Sequence, residues 1–289
     1  MFSLAKENIR IAFDSIKSQL LRTILTVLII AIGIMALVGI LSGVAALENT
    51  ISSNFSSIGS NTFSIRRYEL TNRRQSGRER QKVNPIINYQ NMKAFEDTYD
   101  FPFTTVGVSY GGTGSAEVKY ENKKTDPEIS VFGFNEHFIE NAGLEIETGR
   151  PLNVFDVENN SDVCVIGSDL VKFLFPEENP IGKTISLRGS KFKVIGVFKS
   201  KGSTFGQSED SRVIIPLQKA RSIYPNGNID YTLSVKVSQK ELLEAAKDDA
   251  ILTFRNIRGL KPVEENNFGV VQSDDLLVRA TQNISALYV

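Results

Sequence analysis

The sequence predicts an α+β protein, in which N-terminal interfacial and transmembrane helices precede an extracytoplasmic split βαβ layer that carries a β-rich insertion. Three observations predict this. Nearly all of the extreme hydrophobicity lies before residue 48 of the 289. Strand-helix-strand patterns stand at both ends of the remaining chain, and the segment between them alternates like a series of strands. The overall composition is that of a water-facing protein, with 41% hydrophobic residues and balanced charge, 33 basic against 33 acidic. Whole-chain electrostatics therefore name no polyanionic partner.

The first element is residues 1–22. Leu4, Ile9, Ala12, Phe13 and Ile16 recur at helical spacing with Lys6, Arg10 and Lys17 between them, the pattern of a basic amphipathic helix lying on membrane lipid. Residues 23–48 come next as a transmembrane helix. No charge interrupts Thr23 to Leu47, a stretch of about 37 Å at roughly 1.5 Å per residue, which crosses a ~30 Å hydrocarbon core with tilt. The apolar run is much longer than the ~7–15 residues of a signal-peptide core. Lys6, Arg10, Lys17 and Arg22 outweigh Glu7 and Asp14, which places the N-terminus in the cytoplasm and everything after Glu48 outside. Arg66, Arg67, Arg73, Arg74, Arg78, Arg80 and Lys82 form a basic cluster beyond the membrane. With Tyr68 as its one nearby aromatic it reads as a solvated loop, with anionic lipid or a partner surface as alternatives, and not as a nucleic-acid site.

In residues 49–114 a strand is expected over Thr62–Arg66, then an extended Val83–Ile87, a helix capped by Asn88 through Tyr99, and a strand over Thr104–Tyr110, with Gly111–Gly114 marking a turn. In residues 231–272 a strand over Tyr231–Val237 precedes a capping box of Ser238 and Glu241. The helix it opens presents Leu243, Ala246, Ala250, Phe254 and Ile257 on one face, and Phe268–Gln272 forms another strand. The two units pack as one split layer with helices on one face. The insertion, residues 115–230, has strand character at Glu128–Phe134, Asp162–Ile166, Thr184–Leu187, Lys191–Phe198 and Arg212–Ile215. A hairpin turn is expected at Arg188-Gly189-Ser190, short helices at Glu136–Asn141, Ser168–Phe173 and Leu217–Ile223, and a mobile loop at Lys199–Asp210. Residues 273–289 begin a helix with Ser273 as its cap and Leu276, Ala280, Ile284 and Leu287 on one face.

No catalytic, cofactor-binding or metal residue is nominated. Gly182-Lys183-Thr184 ends like a phosphate-binding loop, but Glu177 stands where its first glycine belongs; Gly107 and Gly112 are spaced correctly, but Thr113 replaces the lysine. His137 is the sole histidine, which rules out a histidine-based metal cluster. Cys164 is the sole cysteine, which rules out an intrachain disulfide, and Asp162-Val163-Cys164-Val165-Ile166 reads as a buried strand. Glu177-Glu178 and Glu264-Glu265 read as solvated faces.

A series of short motifs resembles the permease family that includes MacB-type, lipoprotein-releasing and FtsX-like proteins. Ile58-Gly59-Ser60-Asn61 is similar to the segment leaving the first membrane helix. Gly149-Arg150-Pro151 with Phe155-Asp156 comes after it, then Val165-Ile166-Gly167, Leu174-Phe175, Pro180-Ile181-Gly182-Lys183, Val194-Ile195-Gly196-Val197 and Ile215-Pro216, in the family's order. The resemblance implies a bacterial inner-membrane permease whose outer domain divides into a porter-like part (49–114 and 231–272) and an inserted sabre-like part (115–230). It also implies a separate ATP-binding ABC subunit, a homodimer, and a periplasmic adaptor with an outer-membrane exit duct as partners. Four membrane helices are expected in that family, so the chain is expected to be a fragment lacking the last three. Efflux or extrusion driven by mechanotransmission is the expected function, and FtsX-like control of a cell-envelope hydrolase is the alternative.

Overall fold

A computed structural model describes residues 19–56, 61–68, 83–201, 203–204, 207–208, 210–225 and 229–272, together with 7, 11 and 17. The chain divides into two compact units, with the break after Ser52. The basic segment 69–82, most of the expected interfacial helix and the expected helix at 273–289 lie outside the described residues.

The first unit contains all but the last turn of helix α1 (Leu20–Ser56). Its Leu20–Gly43 stretch has a mean hydropathy of 3.0 and no buried share. Apolar side chains surround it on every side, the composition of a helix solvated by lipid and not one seated on a protein core. The two threonines of the Leu20–Gly43 stretch return their hydroxyls to the helix, Thr23 Oγ1 donating to the Gln19 carbonyl (3.3 Å) and Thr26 Oγ1 to that of Arg22 (2.8 Å). No polar hydrogen is then left facing hydrocarbon at either position.

The second unit begins with β1 (Thr62–Arg66) and α2 (Tyr89–Thr98). Strand β2 (Thr104–Ala116) continues, with only Glu117 between, into β3 (Val118–Tyr120), which turns back as β4 (Lys123–Lys124). Next come β5 (Ile129–Phe134), α3 (Phe138–Asn141), β6 (Ile146–Gly149), α4 (Val154–Glu158), β7 (Val163–Ile166) and α5 (Ser168–Leu174). They lead to β8 (Thr184–Leu187), β9 (Ser190–Phe198), the short ladder of β10 (Ser203–Thr204) with β11 (Gln207–Ser208), β12 (Arg212–Pro216) and α6 (Leu217–Ile223). Strand β13 (Tyr231–Val237), α7 (Leu243–Ile257) and β14 (Gly269–Gln272) are the last described elements.

One hydrogen-bonded path, β14-β1-β13-β2-β5-β12-β7-β9-β8-β3-β4, connects these strands, with β6 added beside β9. Its first four strands are antiparallel neighbours in the split arrangement that the sequence predicts. Side chains alternate with period two: Phe63, Ile65, Leu233, Val235, Val108 and Tyr110 are buried in one cluster with Met92 and Phe95 of α2 and Leu243, Ala246, Ala250 and Phe254 of α7. Phe95 lies flat on Tyr99 (4.9 Å) and edge-on to Phe254 (5.9 Å), and Tyr99 donates to the Ala246 carbonyl (3.0 Å). Asn88 caps α2 as expected, its Oδ1 accepting from Asn91 N at 2.9 Å.

The rest of the path closes on itself. Strand β2 pairs with β5, and the path β5-β12-β7-β9-β8 returns to β3, which is the continuation of β2. The result is a barrel whose interior holds Val118, Val131, Cys164, Ile166, Ile185, Leu187, Phe192, Val194, Val213 and Ile215, each fully buried. On alternate positions Val165 and Ile214 face a second cluster with Phe134, Ile139, Leu152 and Phe198. Strands with both faces covered in this way read as unbroken apolar runs. The β8–β9 hairpin turns at Arg188 and Gly189, both with positive φ (49° and 87°), as the tightest hairpin turns require.

Four expectations are corrected. Gly111–Gly114 forms no turn: β2 runs through it to Ala116, with register shifts against β5 on either side of Thr113, because glycine accommodates bulges without ending a strand. The Ser238–Glu241 capping box is absent. Ser238 N is held by the Phe103 carbonyl (2.9 Å), and α7 opens instead through a 3₁₀ turn at Lys240–Leu242. The first short helix of the insertion starts at Phe138 and not Glu136, since Asn135 Oδ1 takes the Phe138 N–H (3.1 Å) ahead of it. Lys199–Asp210 contains the β10–β11 ladder, and Asp210 gathers its base by accepting from Ser200 Oγ (2.6 Å) and Lys201 N (2.9 Å).

Phe254→Ala is expected to lower unfolding stability by about 3–5 kcal/mol, because it empties the junction of α2, α7 and Phe268. Leu252→Ala, 60% exposed on the same helix, should stay within about 0.5 kcal/mol in the same urea titration.

Candidate functional site

The residues singled out for chemistry in the sequence are not brought together. His137 stands at the start of α3 beside Glu136 (3.5 Å). Cys164 is wholly buried, which raises its thiol pKa well above the ordinary value. In the phosphate-loop-like tripeptide Gly182 takes φ +84° and Lys183 Nζ is bound to Glu178 Oε2 (2.6 Å), while Thr184 opens β8. No group of three or more metal-ligating side chains occurs among the described residues.

Two other constellations are present. The first is where the chain enters and leaves the sheet. β1 and β14 are antiparallel neighbours, with Phe63 opposite Gln272 and Arg66 opposite Gly269. The start of β1 therefore lies against the end of β14, with paired Cα atoms about 4.5–5.5 Å apart. Around this junction Asn141, fully buried at the end of α3, ties three strands together. Its Nδ2 donates to the carbonyls of Thr105 (2.9 Å) and Ser234 (2.8 Å), and its Oδ1 accepts from Thr105 Oγ1 (3.1 Å). The Asn141 carbonyl accepts from Thr62 Oγ1 (3.4 Å), and Val237 N donates to the Asn61 carbonyl (2.9 Å). Sequence reasoning passed over Asn141 because one Asn at the end of a short helix carries no pattern. Its contacts come from residues 36 and 93 positions away.

The second constellation explains the Gly-Arg-Pro motif. Gly149 has φ +84°, and a Cβ there would meet the Ile195 carbonyl at 2.2 Å. Arg150 Nη1 and Nη2 reach both oxygens of Asp156 (2.5 and 3.1 Å), and Asp156 and Asn153 complete a reciprocal capping box at the start of α4. Burial pushes the Asp156 carboxyl up, but the Arg150 guanidinium and the Asn153 N–H outweigh it and hold the pKa below the usual carboxylate value. Leu152 between them is buried in the second cluster while Phe155 stays 71% exposed. This motif builds a corner of the fold.

A helix of membrane-crossing composition followed by this domain is, by its relatives, the architecture of an ABC-transporter permease. More narrowly, the chain belongs to the family of the MacB-like periplasmic core domain, whose model matches residues 23–251. The macrolide export ATP-binding/permease protein MacB of Neisseria meningitidis serogroup A is 32% identical over 203 residues, covering 70% of this chain and 30% of that protein. Its counterpart in Chlorobium phaeobacteroides is 28% identical over 283 residues, covering 96% of this chain and 41% of that protein. The chain thus spans less than half the length of these relatives. Among solved structures, the periplasmic region of MacB from Actinobacillus actinomycetemcomitans shares the fold, with a TM-score of 0.60 at 21% identity over 81% of this chain and 97% of that one. The extracellular domain of the noncanonic ABC-type transporter YknZ from Gram-positive bacteria does so at a TM-score of 0.52 and 17% identity, over 73% and 100%.

Asn141→Ala strands two buried carbonyls and is expected to cost about 1–3 kcal/mol, measured by urea unfolding. Asp156→Asn should cost about 1–2 kcal/mol at neutral pH, discounted because Arg150 is half-exposed. Because the folded-state carboxyl lies below its unfolded value, the native advantage over this variant is complete above about pH 4 and disappears as pH falls through the folded-state value. Parallel unfolding curves across that range check the sign.

Proposed function

We propose that the chain is the membrane-anchored outer part of an ABC permease, in which ATP hydrolysis by a partner subunit moves the domain outside the inner membrane to drive efflux or extrusion. The observation that carries this is the pairing of β1 with β14: the strands through which the chain enters and leaves are hydrogen-bonded to each other. Strand β1 follows α1 after residues 57–61, and displacement of what precedes β1 or comes after β14 would act on a single edge of the sheet. Pulling on adjacent strands shifts a packed domain as a body, the response a two-position transmitter needs.

In this reading β1, α2, the first part of β2, β13, α7 and β14 are porter-like, and residues 115–230 are the sabre-like insertion. The basic residues before α1 hold the N-terminus in the cytoplasm, and the domain lies in the periplasm. A homodimer is the working unit, met by a periplasmic adaptor and an outer-membrane exit duct. The names of the relatives support export of macrolides or similarly sized molecules.

Affinity purification of the full-length protein from membranes in mild detergent tests the proposal. An ATPase subunit should co-purify, its ATP turnover should change when the permease is present, and external protease should cleave the domain in spheroplasts. Recovery of an adaptor and exit duct selects efflux; recovery of a cell-wall hydrolase without them selects FtsX-like signalling. Absence of any ATPase, or full protection from external protease, overturns the proposal.

A further inference from the structure

Strand β2–β3 changes partners along one edge. Pairing with β13 ends at Tyr110, opposite Tyr231, and pairing with β8 begins at Val118, opposite Leu187. Along Gly111–Glu117 that edge meets no strand among the described residues, and a cleft of about 620 Å³ opens there between the end of α6 and the β8–β9 turn. Its size falls within the roughly 300–1,000 Å³ of small-molecule sites.

The lining is rich in donors. Arg188 and Lys119 supply cations, and Thr113, Ser115 and Ser186 supply hydroxyls. The one carboxylate of the lining, Glu117, is already claimed by Lys119 (3.0 Å) and by Lys124 (3.5 Å), leaving the site with net positive charge. Arg188 spends Nη1 on the Ile223 carbonyl (3.1 Å), where it also satisfies the end of α6, and its guanidinium carbon stands 5.6 Å from the centre of the Tyr224 ring. A guanidinium carries five N–H donors, so capacity for an anion remains.

We propose that this cleft binds a small oxyanion-bearing molecule, a carboxylate or a phosphate, held by Arg188 and Lys119. The inference stands on the cleft alone and does not depend on how the domain is driven.

Calorimetric titration of the detergent-solubilised chain with citrate, with inorganic phosphate and with glycerol as an uncharged control tests it. Saturable binding of at least one oxyanion and none of glycerol is expected; which oxyanion binds tells carboxylate from phosphate. Arg188→Gln should weaken that binding by about tenfold or more, the loss of a charge-assisted contact, and the exposed Lys119→Gln severalfold. No saturable binding of either oxyanion, or unaltered affinity in both Arg188→Gln and Lys119→Gln, overturns the proposal.

Discussion

Backbone N–H and C=O groups buried from water need partners, and β2–β3 finds them by joining two halves of one sheet in succession. Its first stretch pairs with β13 and, from Ser109 onward, with β5; its last pairs with β8 and β4. Removing either set of partners would strand hydrogen bonds in the other. The split layer and the barrel are therefore not two modules joined by a linker but one sheet that bends around a shared strand. The bulges on either side of Thr113 supply the bend.

How much of this was legible in the sequence depends on the range of the interactions. Local signals served well. The Asn88 cap, the Arg188-Gly189 turn, the helix Leu217–Ile223 and the apolar face of Leu243–Phe254 are set by neighbours a few residues away, and each is present. Strand character in the sequence located β1, β7, β8, β12 and β13 to within a residue or two. The larger failures share one cause, a distant partner. Gly111–Gly114 carries the local chemistry of a turn, but β5 continues to pair with it from about 20 residues downstream. Ser238 has the residue type of a cap, but its N–H is taken by Phe103. The closure of the barrel had no sequence signal at all, since it depends on which strand β8 meets. Asn141 was invisible for the same reason. By contrast the Gly149-to-Asp156 motif was visible as a resemblance before it had a physical reason. The structure supplies that reason as a left-handed glycine, a bidentate ion pair and a reciprocal cap.

The family assignment and the geometry address different questions. Membership of the MacB-like periplasmic core domain family fixes what kind of domain this is. The adjacency of β1 and β14 bears on what such a domain is suited to transmit, because both of its connections to the remaining chain run through neighbouring strands. A domain attached at opposite ends would be stretched by relative movement of its attachments. One attached at a single edge is instead turned as a whole, and its core, with Phe63 and Ile65 packed beneath α2 and α7, need not deform.

Cys164, the one thiol in the chain, is sealed inside the barrel, and burial suppresses the thiolate that reacts with labelling reagents. The native protein is therefore a silent background for spectroscopy. Cysteines placed at exposed positions such as Leu252 and Phe155 can carry spin labels or fluorophores without first removing the natural residue. Distances across the domain then become measurable in solution.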